Sequence, residues 1–578
     1  MSADFQVVGT SATARFTLKV HRGEGMALLA MNWKAGPPPA DFAGFAIAYQ
    51  EPGGGPFFVL KNRLDFAHGD APAQRVQLPS TQAPIQKFRW VHFPRNAELP
   101  GDFTYRVTPV FMDEHDQLSQ GDPQEVALEL ARETYPGQLN VTFTRGFVSS
   151  QAFVDRWAQH GGMDTLLPPV ADQGLRFTPT NPDATEALTW MGFEAVTAIL
   201  EVLDQAIADP QAQVRLIAYD LNEPAILTRL EQLGARVKVI IDDSDAHGAA
   251  GSAESAAEIR LVASAGRANV KRQHMGNLQH NKTIVVDGPQ AKAVVWGSTN
   301  FSWRGFYVQA NNALVVRGAA PVALGMAAFD DFFAHDDVAG FGATDATKLT
   351  SLGLQDVDAR IAFSPHAADT ALLDTIGADI GSATSSVLYS LAFLYQTTGT
   401  IHDAVDQVTK DPNIFVYGIS DRKVKDIGVE APGVDIQTPS NPAPVFSSAL
   451  NDHVPPPFQP EPSGGRGIRM HHKFVVIDFD KPTARVWMGS YNFSAPADRK
   501  NGENLLLIKD RRVATAYMIE ALRIFDHYHF RVAEQDAHAE QRSFALQRPP
   551  RANGEVAWWA EHYPGGDPTK IRDRELFA

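Results

Sequence analysis

Two short stretches of this chain carry residue types that could act on a phosphodiester. The first is His280-Asn281-Lys282, an apolar run, Asp287, and then Gly297-Ser298-Thr299-Asn300-Phe301-Ser302. The second is His471-His472-Lys473, another apolar run, Asp478, and then Gly489-Ser490-Tyr491-Asn492-Phe493-Ser494. Each reads H-x-K-x4-D followed by G-S-x-N-F-S, and the two copies keep nearly the same offset throughout. Repetition in register is read first, because it means one structural unit written twice. The Val, Ile and Phe runs between Lys and Asp predict buried strands. Alternate side chains on a strand share a face, so His280 and Lys282 point together, as do His471 and Lys473. Two imidazoles and two ammonium groups in one pocket suit displacement at phosphorus: cations hold the phosphoryl oxygens, one His attacks and one protonates the leaving oxygen. His472 is one residue out of phase and is expected to face away.

This double pattern resembles the phospholipase D superfamily over roughly residues 140 to 545. The resemblance implies a covalent phosphohistidine, resolved by water or by an alcohol, with His280 as nucleophile and His471 as acid and then base. It implies that Lys282, Lys473, Asn300 and Asn492 hold the phosphoryl oxygens, with Ser298 and Ser490 orienting them. Asp287 and Asp478 complete the motifs, with structural roles as open as catalytic ones. The copies differ at one place. Glu503 lies where the family commonly fixes a catalytic His with a carboxylate, and the matching position in the first copy is Asn311. If partners cross between copies, Glu503 serves His280 and favours it as nucleophile; if they stay within a copy, the assignment reverses.

The elements that must position these residues follow from the remaining chain. The expected class is α/β, with two pseudo-twofold-related βαβ halves at 140–350 and 358–545, each built on a largely parallel sheet. The first half is read as helix Ala187–Ala206, strand Val214–Tyr219, helix Ala225–Leu233 and strand Val237–Ile241. The second is read as strand Ser386–Ser390, helix Ile401–Val408 and strand Ile414–Ile419. Before them, residues 1–135 show short alternating stretches between Gly/Pro-rich turns, which predict a β-sandwich. Trp33 and Tyr105 in that module look like the core Trp and Tyr of fibronectin type III domains. Residues 161–184 read as an irregular insertion, and the Pro-rich run from Pro439 to Gly467 as a lip over the substrate. A helix is expected near Val513–Phe525. Residues 546–578 read as a tail packed on the catalytic domain, anchored by Trp558-Trp559. Asp242-Asp243-Ser244-Asp245 lacks the spacing of an EF-hand and reads as a solvated turn.

Composition bounds the partners. The chain has 578 residues, 44% of them apolar and 20% charged, enough for several globular domains. It has no cysteine, which excludes disulfides and thiolate metal sites. No cofactor and no metal is expected, since H-x-K is not a ligand pair. The N-terminus carries no signal pattern and no run suits a membrane span, so a cytoplasmic location is the expectation; both copies lie in one chain, so a monomer is expected to suffice. A net charge of −16 argues against a general polyanion surface. Arg236, Lys238, Arg267, Lys271, Arg272 and Lys282 form a local basic excess, read as solvated charge with a basic cleft as the alternative. The substrate is thus a phosphodiester, in a phospholipid or in a nucleic acid. The Glu503 segment also looks like that of small bacterial endonucleases in the superfamily. An inactive scaffold is the third class, at odds with two intact motifs.

Overall fold

The computed structural model describes residues 5–66, 77–130, 133–146, 157, 163–420, 424, 445–446, 470–539 and 545–578. They fall into two compact units. One joins the N-terminal region to the C-terminal residues from Thr515 onward, and the other runs from Glu133 to Ala514 apart from Glu430–Ala443.

In the first unit, strands Gln6–Val8, Phe16–Arg22, Ala27–Trp33 and Arg89–His92 form one antiparallel sheet. Strands Phe42–Gln50, Phe58–Val59, Asp102–Met112, Leu118–Gln120 and Gln124–Glu129 form another. Alternation drives the pairing: Phe16, Leu18 and Val20 are buried while Thr17 and Lys19 are half-buried. The buried rows of both sheets share one core, in which Phe16, Leu29 and Met31 join Phe45, Tyr105 and Val107. Trp33 and Tyr105 both lie in it.

The tail belongs to this core and not to the catalytic half against which it was expected to pack. Trp558 stacks on Phe88 at 5.3 Å and donates its indole N–H to Phe42 O at 3.1 Å. Helix Pro568–Phe577 follows; Arg574 donates to His562 O at 2.8 Å, and His21 Nε2 meets Phe577 O at 2.7 Å.

In the second unit, one sheet has the order Leu139–Phe143, Asn312–Arg317, Lys292–Gly297, Lys282–Asp287, Gln213–Ala218, Val237–Asp242, Val270–Gln273. Beyond a short edge strand, Thr350–Ser351, the other has Asp358–Ser364, Glu503–Lys509, Arg485–Gly489, Lys473–Ile477, Ser386–Leu391, Phe415–Ser420, Val445–Phe446. The strand order is the same. Neither sheet is largely parallel as expected: only the last three strands of each order run parallel, and every other pairing is antiparallel. Short turns join each motif strand to the next, and such turns reverse chain direction, whereas helical crossovers restore it.

Helices Ala184–Ala208, Pro224–Leu233 and Ala253–Ala265 cover one face of the first sheet. Leu373–Gly381 and Thr400–Lys410 do so for the second. Helix Ala319–Ala334 covers the opposite face of the first, with Gly325 against Val285 and Val294. The motif strands are therefore buried on both faces, which is why they read as continuous apolar runs.

The expected insertion forms two short turns, Met163–Thr165 and Ala171–Arg176. The Pro439–Gly467 lip, apart from strand Val445–Phe446, lies outside the described residues. The helix expected near Val513–Phe525 runs from Arg511 to Ala539. Among the described residues no helix is long and apolar enough to cross a membrane.

Candidate active site

The two sheets meet along their motif strands through contacts that recur in both directions. Asn504 donates from Nδ2 to Asn281 Oδ1 at 2.8 Å, and Asn312 Nδ2 reaches His472 Nδ1 at 3.3 Å. Gly502 N donates to Leu278 O at 2.9 Å, and His471 N to Ala310 O at 3.2 Å. The glycine opening each G-S-x-N-F-S segment permits close approach of the next strand of its own sheet, which carries the cross-half Asn. Gly297 and Gly489 have φ of 139° and 149°, and a Cβ there would lie 2.5 Å from Asn312 O and 2.2 Å from Asn504 O.

This packing brings His280 and His471 together, with ring centroids 6.2 Å apart. Lys282 Nζ donates to His280 O, and Lys473 Nζ to His471 O at 2.7 Å. All four side chains are buried. His472 points elsewhere, its ring against Phe143 and Phe474.

Each catalytic candidate is held by the opposite half. His280 Nδ1 donates to Glu503 Oε2 at 2.8 Å, and His471 Nδ1 to Asn311 Oδ1 at 2.8 Å and Ser298 O at 3.1 Å. Ser490 and Ser298 lie behind these partners: Ser490 Oγ donates to Glu503 Oε2 at 2.7 Å, and Ser298 Oγ to Asn311 Oδ1 at 2.9 Å. Asn311 also donates from Nδ2 to Gly305 O at 2.9 Å. Its polar atoms are spent on protein, so Asn311, with Ser298 and Ser490, supports the histidines in this arrangement. With Nδ1 occupied in both rings, Nε2 is left as the reacting nitrogen.

Asn300 and Asn492 each keep a buried side-chain oxygen without a protein partner. Asn300 Nδ2 donates to Asp220 Oδ2 at 2.8 Å. Asp287 and Asp478 are not in the site. Five residues of strand separate each from its Lys, about 16 Å. Asp287 is half-exposed and pairs with Lys292. Asp478 is buried and accepts from the backbone N–H of Thr384, Ser385 and Ser386 at 2.9, 2.8 and 3.2 Å.

Burial dominates the electrostatics. It pulls His280 down to about 4 against the upward pull of Glu503, and Lys282 down to about 7. His471 falls well below the ordinary histidine value through burial and the nearby cations Lys473 and Lys282. Lys473 falls for the same reasons, burial first and then Lys282. The unliganded pocket thus holds its cations at a cost that an arriving anion would offset.

Sequence reasoning missed a neighbouring cluster. Tyr219 lies between two imidazoles, 4.7 Å from His280 and 4.6 Å from His247. His247 Nε2 faces Asp220 at 3.2 Å and its Nδ1 faces Asp242 at 2.8 Å. Asp242, expected in a solvated turn, is fully buried and caps Ser244 N at 3.0 Å and Gln279 N at 2.6 Å. The available signal was position: Asp242 ends one buried strand, and Asp220 lies two residues beyond the end of another. Asp220, His247 and Glu254 are also the one group among the described residues spaced to hold a metal ion, where none was expected. Both His247 nitrogens face carboxylates, however, so the ring serves as a doubly protonated donor. Burial opposes that charge, but the two carboxylates outweigh it and lift His247 to about 10.

The basic excess is solvated only in part: Arg267 is exposed, Arg236, Lys238, Lys271 and Arg272 are half-buried, and Lys282 is buried. Arg236 donates to the carbonyls of Ala206 and Asp209 at 2.9 and 2.7 Å. Arg272 donates to those of Asp242 and His247 at 2.9 and 2.7 Å. Lys271 pairs with Asp336, Arg267 with Glu258, and Lys238 lies over Phe333.

Comparison with known proteins follows these two halves. A family model described as cardiolipin synthase, PLD-like domain, matches residues 203–333 and 378–525. A Rickettsia bellii phospholipase D is 31% identical over 126 residues, 21% of this chain and 60% of that protein. A Rickettsia felis phospholipase D is 44% identical over 48 residues, 8% of this chain and 22% of that protein. The chain therefore spans less than two thirds of the length of these relatives. A solved phosphatidylserine synthase from Haemophilus influenzae overlaps 58% of this chain and 85% of its own at 14% identity, with a TM-score of 0.40.

Proposed function

We infer the reaction from one premise: this chain belongs to the phospholipase D superfamily. The proposed activity is a phosphodiesterase reaction, hydrolysis or transfer, through a covalent phosphohistidine. His280 Nε2 attacks phosphorus and the bond to the leaving oxygen breaks, while His471 delivers its Nε2 proton to that oxygen. His471 then takes a proton from water or an alcohol, the resulting oxygen attacks phosphorus, and the N–P bond breaks. Lys282, Lys473, Asn300 and Asn492 hold the phosphoryl oxygens. A bound phosphodiester raises the imidazole and ammonium groups from their depressed state, so the acid proton enters with the substrate.

The observation that carries the role assignment is the 2.8 Å contact of His280 Nδ1 with Glu503. A carboxylate on Nδ1 makes Nε2 more basic and stabilises the cation formed on attack; the amide of Asn311 cannot do so for His471. The reciprocal contacts and the common strand order support a pseudo-twofold between the halves, and both lie in one chain, so a monomer suffices. The pairing of Ala27–Trp33 with Arg89–His92, and of Phe42–Gln50 with Asp102–Met112, supports a fibronectin type III-like reading of the first module.

A phospholipid is the proposed substrate. The cations that could have tracked a nucleic acid are engaged within the protein, and the relatives named above are called phospholipases. The test is a paired assay on phosphatidylcholine vesicles and single-stranded DNA, with and without chelator, beside His280→Ala. Choline release that His280→Ala lacks supports the proposal. DNA cleavage that His280→Ala lacks replaces the lipid with a nucleic acid, and activity retained by His280→Ala removes the mechanism.

A further inference from the structure

We propose that His247 is a positioning residue: a buried imidazolium cross-link that braces both the phosphoryl clamp and the strand entry carrying the nucleophile. The inference rests on the phosphohistidine reading above, and it concerns a residue outside both repeated motifs.

His247 sits on the short turn Asp245–Gly248 and reaches the pocket by two arms. The first runs through Asp220, which faces His247 Nε2 with Oδ1 at 3.2 Å. Its Oδ2 accepts from Asn300 Nδ2 at 2.8 Å and from Ser302 Oγ at 3.2 Å. An amide with one N–H held by a carboxylate has its second N–H direction set, which is what a phosphoryl ligand needs. The second arm runs through Asp242, which holds His247 Nδ1 at 2.8 Å and accepts from Gln279 N at 2.6 Å. Gln279 immediately precedes His280. Between the arms, Tyr219 packs its ring against His247 and His280, with Lys282 Nζ 4.8 Å from its centre.

Charge explains why a cation is needed at this point. Asp220, Asp242 and the buried Glu254 crowd one corner of a pocket meant for an anion. His247, with Lys282 and Arg304 near Asp220, offsets them. Remove the imidazolium and the Asp220 carboxylate faces the incoming phosphate with its directly hydrogen-bonded cation gone.

Among the described residues, the Asp220 arm has no counterpart in the second half. Ala218 pairs with Lys282 and Leu391 pairs with Lys473, so the position matching Asp220 is Phe393. Phe393 packs near Lys473 and offers Asn492 no carboxylate. The half that carries the proposed nucleophile is thus the half whose clamp is charge-anchored.

The experiment compares full-length wild type, His247→Gln, Asp220→Asn and the double variant, measuring kcat/KM, inorganic phosphate binding and melting temperature. His247→Gln is expected to lower kcat/KM about 10- to 100-fold and to weaken phosphate binding. In the double variant, removal of the Asp220 charge is expected to restore phosphate binding and to leave kcat/KM no worse than in the poorer single variant. A purely structural role would lower the melting temperature and leave phosphate binding by the folded protein unchanged, which would overturn the proposal. Additive losses in the double variant would overturn it too. Wild-type activity lost to chelator and restored by Mg²⁺, Mn²⁺ or Zn²⁺ would also overturn it, making His247, Asp220 and Glu254 metal ligands. His280→Ala, run alongside, separates failure of the underlying reaction from failure of the brace.

Discussion

The Glu503 carboxylate of the second half holds His280 of the first, with both oxygens within 3.0 Å of Nδ1. The reciprocal contact, Asn311 of the first half on His471 of the second, has the same length and no charge. Neither half therefore contains a complete histidine site. At this pair of matched positions the two copies are unequal, carboxylate against amide.

That inequality sets the first prediction. Glu503→Gln is expected to lower kcat by about 10²- to 10⁴-fold with little change in KM, the scale seen when a triad carboxylate is neutralised. Asn311→Ala is expected to cost about tenfold or less. Steady-state kinetics on the purified variants decides it, and a larger loss in Asn311→Ala would exchange the roles of the two histidines.

The second concerns the intermediate. With an activated aryl phosphodiester, which needs no acid for departure of its leaving group, His471→Ala is expected to form and accumulate the covalent adduct. Intact-mass analysis after rapid quench should find that adduct on His280. No adduct should appear in His280→Ala.

Protein stability should follow the buried imidazoles. His280 is pulled to about 4, so between its ordinary value of 6.5 and 4 the unfolded chain binds more protons than the native one. The His280 contribution to stability then falls as pH drops through that window and is level above it. Thermal melts of wild type are expected to show this slope, and the His280→Ala/His471→Ala double variant a shallower one. A residual slope should remain from His92, which burial pulls to about 3. Equal slopes would contradict the buried neutral pair.

The motif aspartates should separate from catalysis. Asp478→Ala removes the acceptor of three backbone N–H groups, that of Ser386 buried and those of Thr384 and Ser385 part-buried, and is expected to cost about 1 to 3 kcal/mol of stability. Asp287→Ala, at an exposed ion pair, is expected to change stability by about 0.5 kcal/mol or less. Denaturant melts and kcat per folded molecule check both. A tenfold loss of kcat in either would return that residue to the site.

The internal pairing of the basic excess gives the last expectation. Arg267→Ala and Lys271→Ala should leave the salt dependence of activity unchanged, because these cations are engaged with Glu258 and Asp336. A flatter salt dependence in either variant would mark a polyanion track.

The motifs, their placement on buried strands and the repetition of one unit were legible in the sequence, because apolar run length and alternation report local burial directly. So was the presence of a carboxylate at Glu503 opposite an amide at Asn311. The sheet direction was misread, since apolar runs buried on both faces look alike whether neighbours run parallel or antiparallel. The tail was misplaced because Trp558 announces that it packs, but not against which core. Asp242 looked solvated because its neighbours Asp243 and Asp245 are polar, and a strand end that turns inward has no composition of its own. Which histidine receives Glu503 was decided only when the two halves met. Sequence order places Glu503 thirty-two residues after His471 and 223 after His280, yet the carboxylate touches His280. Local patterning wrote the residues of the site; the contact between halves, a property of the assembled sheets alone, gave each of them its partner.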